Sequence, residues 1–112
     1  MRSPSERFEK SMTSDNLWIY ILSLLRKRKM YPYELRKEIR KEFGFSPGNV
    51  TAYIVLKKLD VGGFVRKEGV SKDRGPERGY YSITESGARE LEKVNSLFSK
   101  YSEKISNIDN HK

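Results

Sequence analysis

The 112-residue sequence has no cysteine and a single histidine, and both shortages restrict its chemistry. Without cysteine the chain cannot form disulfides or use a thiolate as a nucleophile or metal ligand. The one histidine, His111, lies in a polar tail, so a histidine-based general base or metal cluster is missing. No glycine-rich loop of the phosphate-binding type is present, because Gly62 and Gly63 are better interpreted as a helix stop. We therefore expect no enzyme, no cofactor and no metal site.

Long hydrophobic runs are also missing. The longest apolar segment, residues 17–25, is interrupted by Ser23 and is too short for a bilayer span, which needs ~18 apolar residues. The sequence does not begin with a basic start, an apolar stretch and a small-residue cleavage site, the pattern of a secretion signal. We expect one domain in a soluble, cytoplasmic protein.

What the sequence has in excess is positive charge. Lysine and arginine number 23 against 15 acidic residues, which gives a net charge of +8. The excess lies wholly in residues 1–84, with 18 basic and 10 acidic residues, whereas residues 85–112 have five of each. Such a balance favours a polyanionic partner. It predicts a basic part that faces nucleic acid and a neutral part that serves assembly.

The first half of the chain has helical patterns. Residues 1–15 form either a polar arm or a short helix, and both interpretations stay open. Residues 16–29 are predicted as a central helix, because apolar side chains cover most of its circumference. Residues 32–43 are predicted as a second helix, which has Pro32 in its first turn and ends at Gly44.

A third helix is predicted to start with Ser46 as its cap and to run to about Val61. The side chains left facing outward or sideways are Asn49, Val50, Tyr53, Ile54, Lys57 and Lys58. Val50 and Ile54 are unusual on a solvated face. Contact with thymine methyl groups and packing against the hairpin that follows explain them equally well.

After this helix the pattern changes to a hairpin and then to a long helix. Residues 64–67 and 80–83 are predicted as strands around a charged loop. The last helix begins at Thr84, its predicted cap. This order predicts a mainly α fold with a small β-hairpin wing, a winged helix-turn-helix, plus a long C-terminal dimerisation helix. The predicted divisions are an arm or helix at 1–15, a DNA-binding domain at 16–84, and a dimerisation helix with a polar tail at 85–112.

The last helix has an apolar stripe with alternating steps of three and four residues, the heptad pattern of a coiled coil. Its members are Leu91, Val94, Phe98, Tyr101, Ile105 and Ile108. The helix is about 35 Å long at 1.5 Å per residue, and a domain of this size cannot cover the whole stripe. We therefore predict a dimer interface there.

Three segments together resemble the PadR family of winged-helix transcriptional regulators. Residues 30–35 (MYPYEL) look like the segment that opens the family's second helix. Residues 46–65 look like its recognition helix and the strand after it, and residues 75–87 look like its second wing strand and the start of its dimerisation helix. Pro32 replaces the family's usual glycine, and Ile54 stands where proline often follows the tyrosine.

The resemblance implies a homodimer that represses by occupying a two-fold symmetric operator in double-stranded DNA, often released by a small molecule. We assign DNA contact to one set of residues according to hydrogen-bonding and charge chemistry. This set is Tyr33, Ser46, Asn49, Thr51, Tyr53, Lys57, Lys58, Lys72, Arg74 and Arg78. A small aromatic effector remains open. Aromatic side chains that could line an apolar gap between subunits, or simply pack in the core, are Trp18, Tyr20, Phe98 and Tyr101.

Two other interpretations share this fold. A winged helix can bind protein instead of DNA, although the basic recognition helix and wing argue against it. A MarR-type regulator also has a wing and a helical dimer, but such chains are usually longer and carry helices on both sides of the winged core.

The basic wing generates a first test. Replacing Arg74 and Arg78 together by alanine should weaken DNA binding several-fold and flatten its dependence on salt, because two phosphate-neutralising charges are lost. A salt titration of the binding constant checks this. Unchanged affinity and slope would remove the wing from the mechanism.

Overall fold

The computed structural model describes residues 2–71 and 78–108, and of residues 70, 71 and 78 it describes the backbone only. The elements along these residues are α1 (Pro4–Met12), α2 (Leu17–Leu25), α3 (Pro32–Phe43), α4 (Asn49–Val61), β1 (Val65–Ser71), β2 (Arg78–Ile83) and α5 (Glu85–Ile108). This order confirms the predicted helical fold with a hairpin wing and a long last helix. In the described ranges, no helix is both long and apolar enough to cross a membrane.

The N-terminal segment is a short helix rather than an arm. Ser3 caps α1, because its hydroxyl accepts from the Glu6 amide at 3.2 Å while the Glu6 carboxylate accepts from the Ser3 amide at 3.3 Å. This reciprocal pair satisfies amides that the first turn leaves free. The Tyr20 hydroxyl donates to the Met12 carbonyl at 2.6 Å, which ties the end of α1 to α2.

Helix α2 is the centre of the fold. It packs against α3, α4, α5 and β2, and its fully buried residues are Leu17, Ile21, Leu22, Leu24 and Leu25. The helix ends at Leu25, four residues before the predicted end. The chain turns there because Met30 must reach the wing in an extended conformation. The four basic residues between them, 26–29, are exposed.

Helix α3 has the predicted bounds. Its first turn is closed by Glu34, whose carboxylate accepts from the Tyr31 amide at 3.0 Å. It ends at Gly44, which has a φ of 80°, a left-handed conformation that costs glycine little. Leu35 and Ile39 are buried against the core.

The predicted start of α4 is wrong. The helix begins at Asn49, its N-cap is Gly48, and no side chain caps it. Ser46 is exposed two residues before the cap. Gly48, with φ −63° and ψ 148°, is extended, so the chain is still outside the helix at Pro47, which is buried. Ala52, Leu56 and Leu59 form the buried face of α4.

The wing is a two-stranded sheet, longer than predicted, and one extended residue outside it, Met30, pairs with β2 as an isolated bridge. Strands β1 and β2 pair antiparallel, with Val65 opposite Ile83. Met30 pairs with Tyr81 through two backbone hydrogen bonds of 3.1 and 2.9 Å. The register shifts between Glu68 and Val70, where Gly69 has a φ of 56°. A bulge of this kind needs a residue that tolerates positive φ.

Helix α5 begins as predicted at Thr84. The Thr84 hydroxyl accepts from the Gly87 amide at 3.1 Å and donates to the Gly63 carbonyl at 2.6 Å. It therefore caps α5 and also fastens the helix to the turn before β1. Gly87 is buried where α5 lies against Phe64, the residue before β1, and Ile83 at the end of β2.

Replacing Gly87 by alanine should destabilise the fold by about 1–3 kcal/mol, the usual cost of overpacking. A Cβ at this position would lie 2.2 Å from the Phe64 carbonyl oxygen and 2.9 Å from Ile83 Cγ1. The clash should outweigh the gain of about 1 kcal/mol in helix propensity. Urea unfolding measures the difference.

Gly48→Ala is the matched control, because a Cβ at 48 meets nothing closer than 3.6 Å. Its effect should stay below about 1 kcal/mol, the scale of a changed helix cap. A Gly87→Ala protein as stable as the unmodified chain would contradict the close approach of α5 to Phe64.

Candidate nucleic-acid interface

One face of α4 is open to solvent. It consists of Asn49, Val50, Tyr53, Ile54, Lys57 and Lys58, all of them exposed. Val50 is 71% exposed and Ile54 is 50% exposed, so the described part of the wing does not bury them. Helical periodicity accounts for this face, since the opposite side of α4 is anchored in the core. Such a convex, partly apolar helix face has the shape that fits a DNA major groove.

The start of α3 lies beside this face. Tyr33 is 64% exposed, and the Lys37 ammonium lies 5.6 Å from the centre of its ring. The Tyr33 hydroxyl is therefore available to an outside partner. The amides of the first turn of α3 carry partial positive charge, which attracts anions.

A cleft of about 570 Å³ lies between α3, α4 and the wing. We call it the wing cleft. Its lining residues are Tyr31, Pro32, Tyr33, Arg36, Asn49, Tyr53, Lys67, Gly79 and Tyr81. It brings together Tyr33, Asn49 and Tyr53, three of the residues to which the sequence assigns DNA contact, from two successive helices, α3 and α4.

The wing cleft is electropositive. Arg36 and Lys67 line it, and no carboxylate is among its described lining residues. Burial raises the pKa of the Tyr81 phenol, and Asp60 raises it further, so this hydroxyl stays neutral at physiological pH. The described lining of the cleft thus offers two cations and no carboxylate, which suits an anion.

The sequence interpretation missed Arg36 and Lys67. Strand side chains alternate between the two faces of a sheet. This alternation in residues 64–67 could have indicated that Lys67 lies on the same face of the strand as Val65, and Arg66 on the opposite face. For Arg36 no sequence signal existed, because its place depends on how α3 packs beside the loop before α4. Its Nε donates to the Pro47 carbonyl at 3.5 Å.

A tyrosine pair holds the wing to the start of α3. The rings of Tyr31 and Tyr80 stack with their centres 4.1 Å apart, and their hydroxyls are hydrogen-bonded. The Lys29 ammonium lies 5.2 Å from the centre of the Tyr80 ring. Stacked aromatic pairs contribute about 0.5–1.5 kcal/mol beyond simple burial. The pair therefore fixes one wall of the wing cleft.

The other predicted DNA contacts are more scattered. Thr51 and Ser46 are exposed but do not line the wing cleft. Lys58 also borders a second cavity, on the side of α5. Lys72 and Arg74 lie outside the described residues, as does the side chain of Arg78, whose backbone begins β2.

The predicted stripe on α5 divides into a buried and an exposed part. Leu91 is 3% exposed and belongs to the core of the chain itself, which corrects its assignment to the interface. Its place near the start of α5 puts it over α2. Val94 is half-buried, and the exposed members of the stripe are Phe98, Tyr101, Ile105 and Ile108. Leu97 is exposed beside them.

The aromatic residues considered for an effector have different surroundings. Tyr20 packs edge-on against Phe43 and Phe45, with ring centres 4.8 and 5.0 Å apart, so its role is core packing. Trp18 borders the second cavity, which has a volume of about 420 Å³. Its other lining residues are Asp15, Leu22, Val55, Lys58, Leu59, Phe64 and Glu90.

In the described ranges, histidine, cysteine and acidic side chains form no group that could hold a metal ion. Side-chain ion pairs include Arg28 with Glu34 at 3.0 Å and Lys10 with Asp15 at 2.9 Å, and both are at the surface. What the arrangement offers is an exposed helix face and an electropositive cleft beside it. Its chemistry suits binding of an anionic polymer.

Comparisons with known proteins agree with this arrangement. Residues 21–93 match the model of the transcriptional regulator PadR-like family. A solved transcriptional regulator from Thermoplasma acidophilum is 29% identical, with 87% of this chain and 91% of that chain covered and a TM-score of 0.69. A PadR family regulator from Eggerthella lenta shares the fold with a TM-score of 0.80 at 21% identity, over 96% and 94% of the two chains.

A further solved structure is Bacillus subtilis PadR in complex with operator DNA. It is 31% identical, with a TM-score of 0.64, and the alignment covers 70% of this chain but 45% of that one. No curated protein matches the sequence.

Proposed function

The chain belongs to the PadR-like family of transcriptional regulators, and from this premise we propose that it is a homodimeric repressor of a two-fold symmetric operator in double-stranded DNA. The observation that carries the proposal is the exposed face of α4 beside the electropositive wing cleft. The operator complex of Bacillus subtilis PadR supports the same mode of action. Binding to chromosomal DNA would place the protein in the cytoplasm.

In the proposed complex, α4 enters the major groove. Asn49, Thr51 and Tyr53 lie in its N-terminal half, the part that reaches base edges. An asparagine amide can recognise adenine through two hydrogen bonds, and a threonine can contact either base or phosphate. Val50 and Ile54 are exposed on the same helix, which suits apolar contact with thymine methyl groups.

Phosphate contacts orient the protein on the duplex. We assign them to Tyr33 at the start of α3, to Lys57 and Lys58 on α4, and to Ser46 before it. The wing residues Lys72, Arg74 and Arg78 complete the set. These contacts supply most of the salt-dependent affinity, whereas base contacts supply the specificity.

The homodimer forms through α5. The stripe of Val94, Phe98, Tyr101, Ile105 and Ile108 is largely exposed in the single chain, and an apolar surface of this length is an association site. A second copy offers a matching stripe, because a two-fold interface pairs the same residues of both subunits. Two recognition helices would then face half-sites about one helical turn, ~34 Å, apart.

A small aromatic effector belongs to the same proposal. The second cavity, of about 420 Å³, has the size of a ligand pocket, and Trp18 and Phe64 give it aromatic walls. It lies between α2, α4 and α5, so a ligand there would touch both the recognition helix and the proposed dimerisation helix.

Binding to protein instead of DNA is the alternative function for this fold. The wing cleft argues against it, since its described lining has two cations and no carboxylate, as suits a polyanion. A gel shift with the promoter fragment of the chain's own gene separates the two functions. A shift that a scrambled fragment does not compete away supports the regulator, and no shift at any protein concentration favours the protein partner.

The specificity of this binding is tested by Asn49→Ala. We expect operator affinity to fall by about 1–3 kcal/mol, the value of a bidentate base contact, with affinity for scrambled DNA and the salt slope nearly unchanged. Fluorescence anisotropy on both duplexes measures this. Asn95→Ala, an exposed asparagine on α5, is the control and should bind like the unmodified chain. Equal losses on both duplexes would count against base reading by Asn49.

The dimer interface is tested by Phe98→Asp. A carboxylate in the middle of the apolar stripe cannot be desolvated cheaply, so the variant should be monomeric by light scattering and bind DNA poorly. Ser96→Asp is the matched control, because this exposed residue lies on the opposite side of α5 from Phe98. A Phe98→Asp protein that is still dimeric would contradict the assignment of the stripe.

A further inference from the structure

The geometry of the proposed complex requires a DNA strand to cross the wing cleft. A helix in the major groove and a wing beside it are separated by the sugar-phosphate strand that divides the two grooves. The wing cleft is the gap between α4 and the wing. We infer that a backbone phosphate of this strand binds in the wing cleft and that Arg36 and Lys67 are its charged ligands. The inference rests on the proposed function and adds two residues to its DNA-binding set.

Arg36 is positioned for this role by its surroundings. It is half-buried on α3, and its Nε donates to the Pro47 carbonyl at 3.5 Å. A guanidinium has five N–H groups in a rigid fork, so a single bond to a carbonyl uses only one of them. The bond to Pro47 directs the planar group toward the junction of α3 and α4, where a phosphate can accept two parallel hydrogen bonds.

Lys67 approaches from the wing. A Cβ placed on Gly79 would lie 2.2 Å from Lys67 Cε and 3.1 Å from Lys67 Cγ. The stem of Lys67 therefore lies across the backbone of the neighbouring strand, in space that only glycine leaves free. This packing holds a flexible side chain along the wing cleft and leaves its ammonium exposed at the edge.

The rest of the wing cleft favours the same ligand. The phenols of Tyr33 and Tyr53 line it, and a phenol can donate a hydrogen bond to a phosphate oxygen. Arg36 and Lys67 belong to different elements, one to α3 and one to β1. A single phosphate between them would thus connect the helical part of the domain to the wing.

The test removes each charge while keeping the shape of the side chain. Arg36→Met and Lys67→Met should each weaken binding to a random-sequence duplex roughly fivefold to tenfold at low salt. Because the two cations would share one phosphate, the double variant with both substitutions should reduce the slope of log K against log salt by about 0.9, the contribution of one phosphate. Because phosphate contacts carry no sequence information, the losses on operator and on random duplexes should be equal.

Two neighbouring residues provide matched controls. Arg66 is adjacent to Lys67 on the opposite face of β1, and Arg40 is one turn beyond Arg36 on α3; both are exposed and neither lines the wing cleft. Arg66→Met and Arg40→Met should keep the slope within about 0.3 of the unmodified protein, since they remove the same net charge without losing a phosphate contact. If the controls lose as much affinity and slope, the loss of net charge alone explains the effect, and the inference is wrong.

Thermal unfolding of each variant shows whether folding is intact. If Arg36→Met unfolds, Arg36→Lys keeps the charge and should restore most of the slope. A duplex with one neutral methylphosphonate, moved step by step along each strand, gives the sharpest result. At one position it should cost the unmodified protein several-fold in affinity, cost Lys67→Met less, and cost the double variant with both Arg36→Met and Lys67→Met nothing further.

The outcomes separate this inference from the proposed function. If the unmodified protein binds no DNA, the proposed function fails. If it binds with a steep salt slope that the double variant retains, only the placement of a phosphate in the wing cleft is wrong.

Discussion

The pairing of Met30 with Tyr81 is the constraint on which the arrangement of this domain depends. Two backbone hydrogen bonds of 3.1 and 2.9 Å fix one extended residue to the wing. This residue stands in the segment that joins α2 to α3, so the bridge fixes that segment to the wing. Met30 is 2% exposed and Tyr81 is 7% exposed, and backbone groups buried in this way cost free energy when they lose their partners. The wing is therefore held as part of the domain and not as a free hairpin.

The tyrosine pair extends this constraint to the wing cleft. Tyr31 follows Met30 and Tyr80 precedes Tyr81. The antiparallel pairing of Met30 with Tyr81 therefore places Tyr31 opposite Tyr80, and their rings stack. Their stack fixes the distance between the wing and the start of α3. The wing cleft is thus a product of sheet pairing, and its cations come from elements that the pairing holds in place. A preformed gap of this kind spares the ordering entropy that a flexible wing would lose on binding.

The long last helix serves two structural purposes along its length. Near its start, Leu91 is buried in the core, and Gly87 lets the helix approach the backbone of Phe64 closely. Beyond Val94 the same stripe continues with its side chains exposed in the described part of the chain. A continuous apolar stripe that passes from core to surface couples the stability of the domain to the proposed dimer, because both depend on the orientation of one helix. The second cavity is lined in part by Glu90 of the same helix, so a ligand there could affect both the domain and the proposed dimer.

Local patterns in the sequence determined the helix types, the order of the elements, the cap at Thr84, the outward face of α4 and the stripe on α5. These features depend on periodicity and on neighbouring residues, which a sequence displays directly. The tertiary structure decided the rest. It ended α2 at Leu25, moved the start of α4 to Asn49, and took Leu91 into the core. It also placed Arg36 beside Lys67 across a cleft. Each of these outcomes depends on contacts between residues far apart in the chain, where packing and strand pairing outweigh local preference.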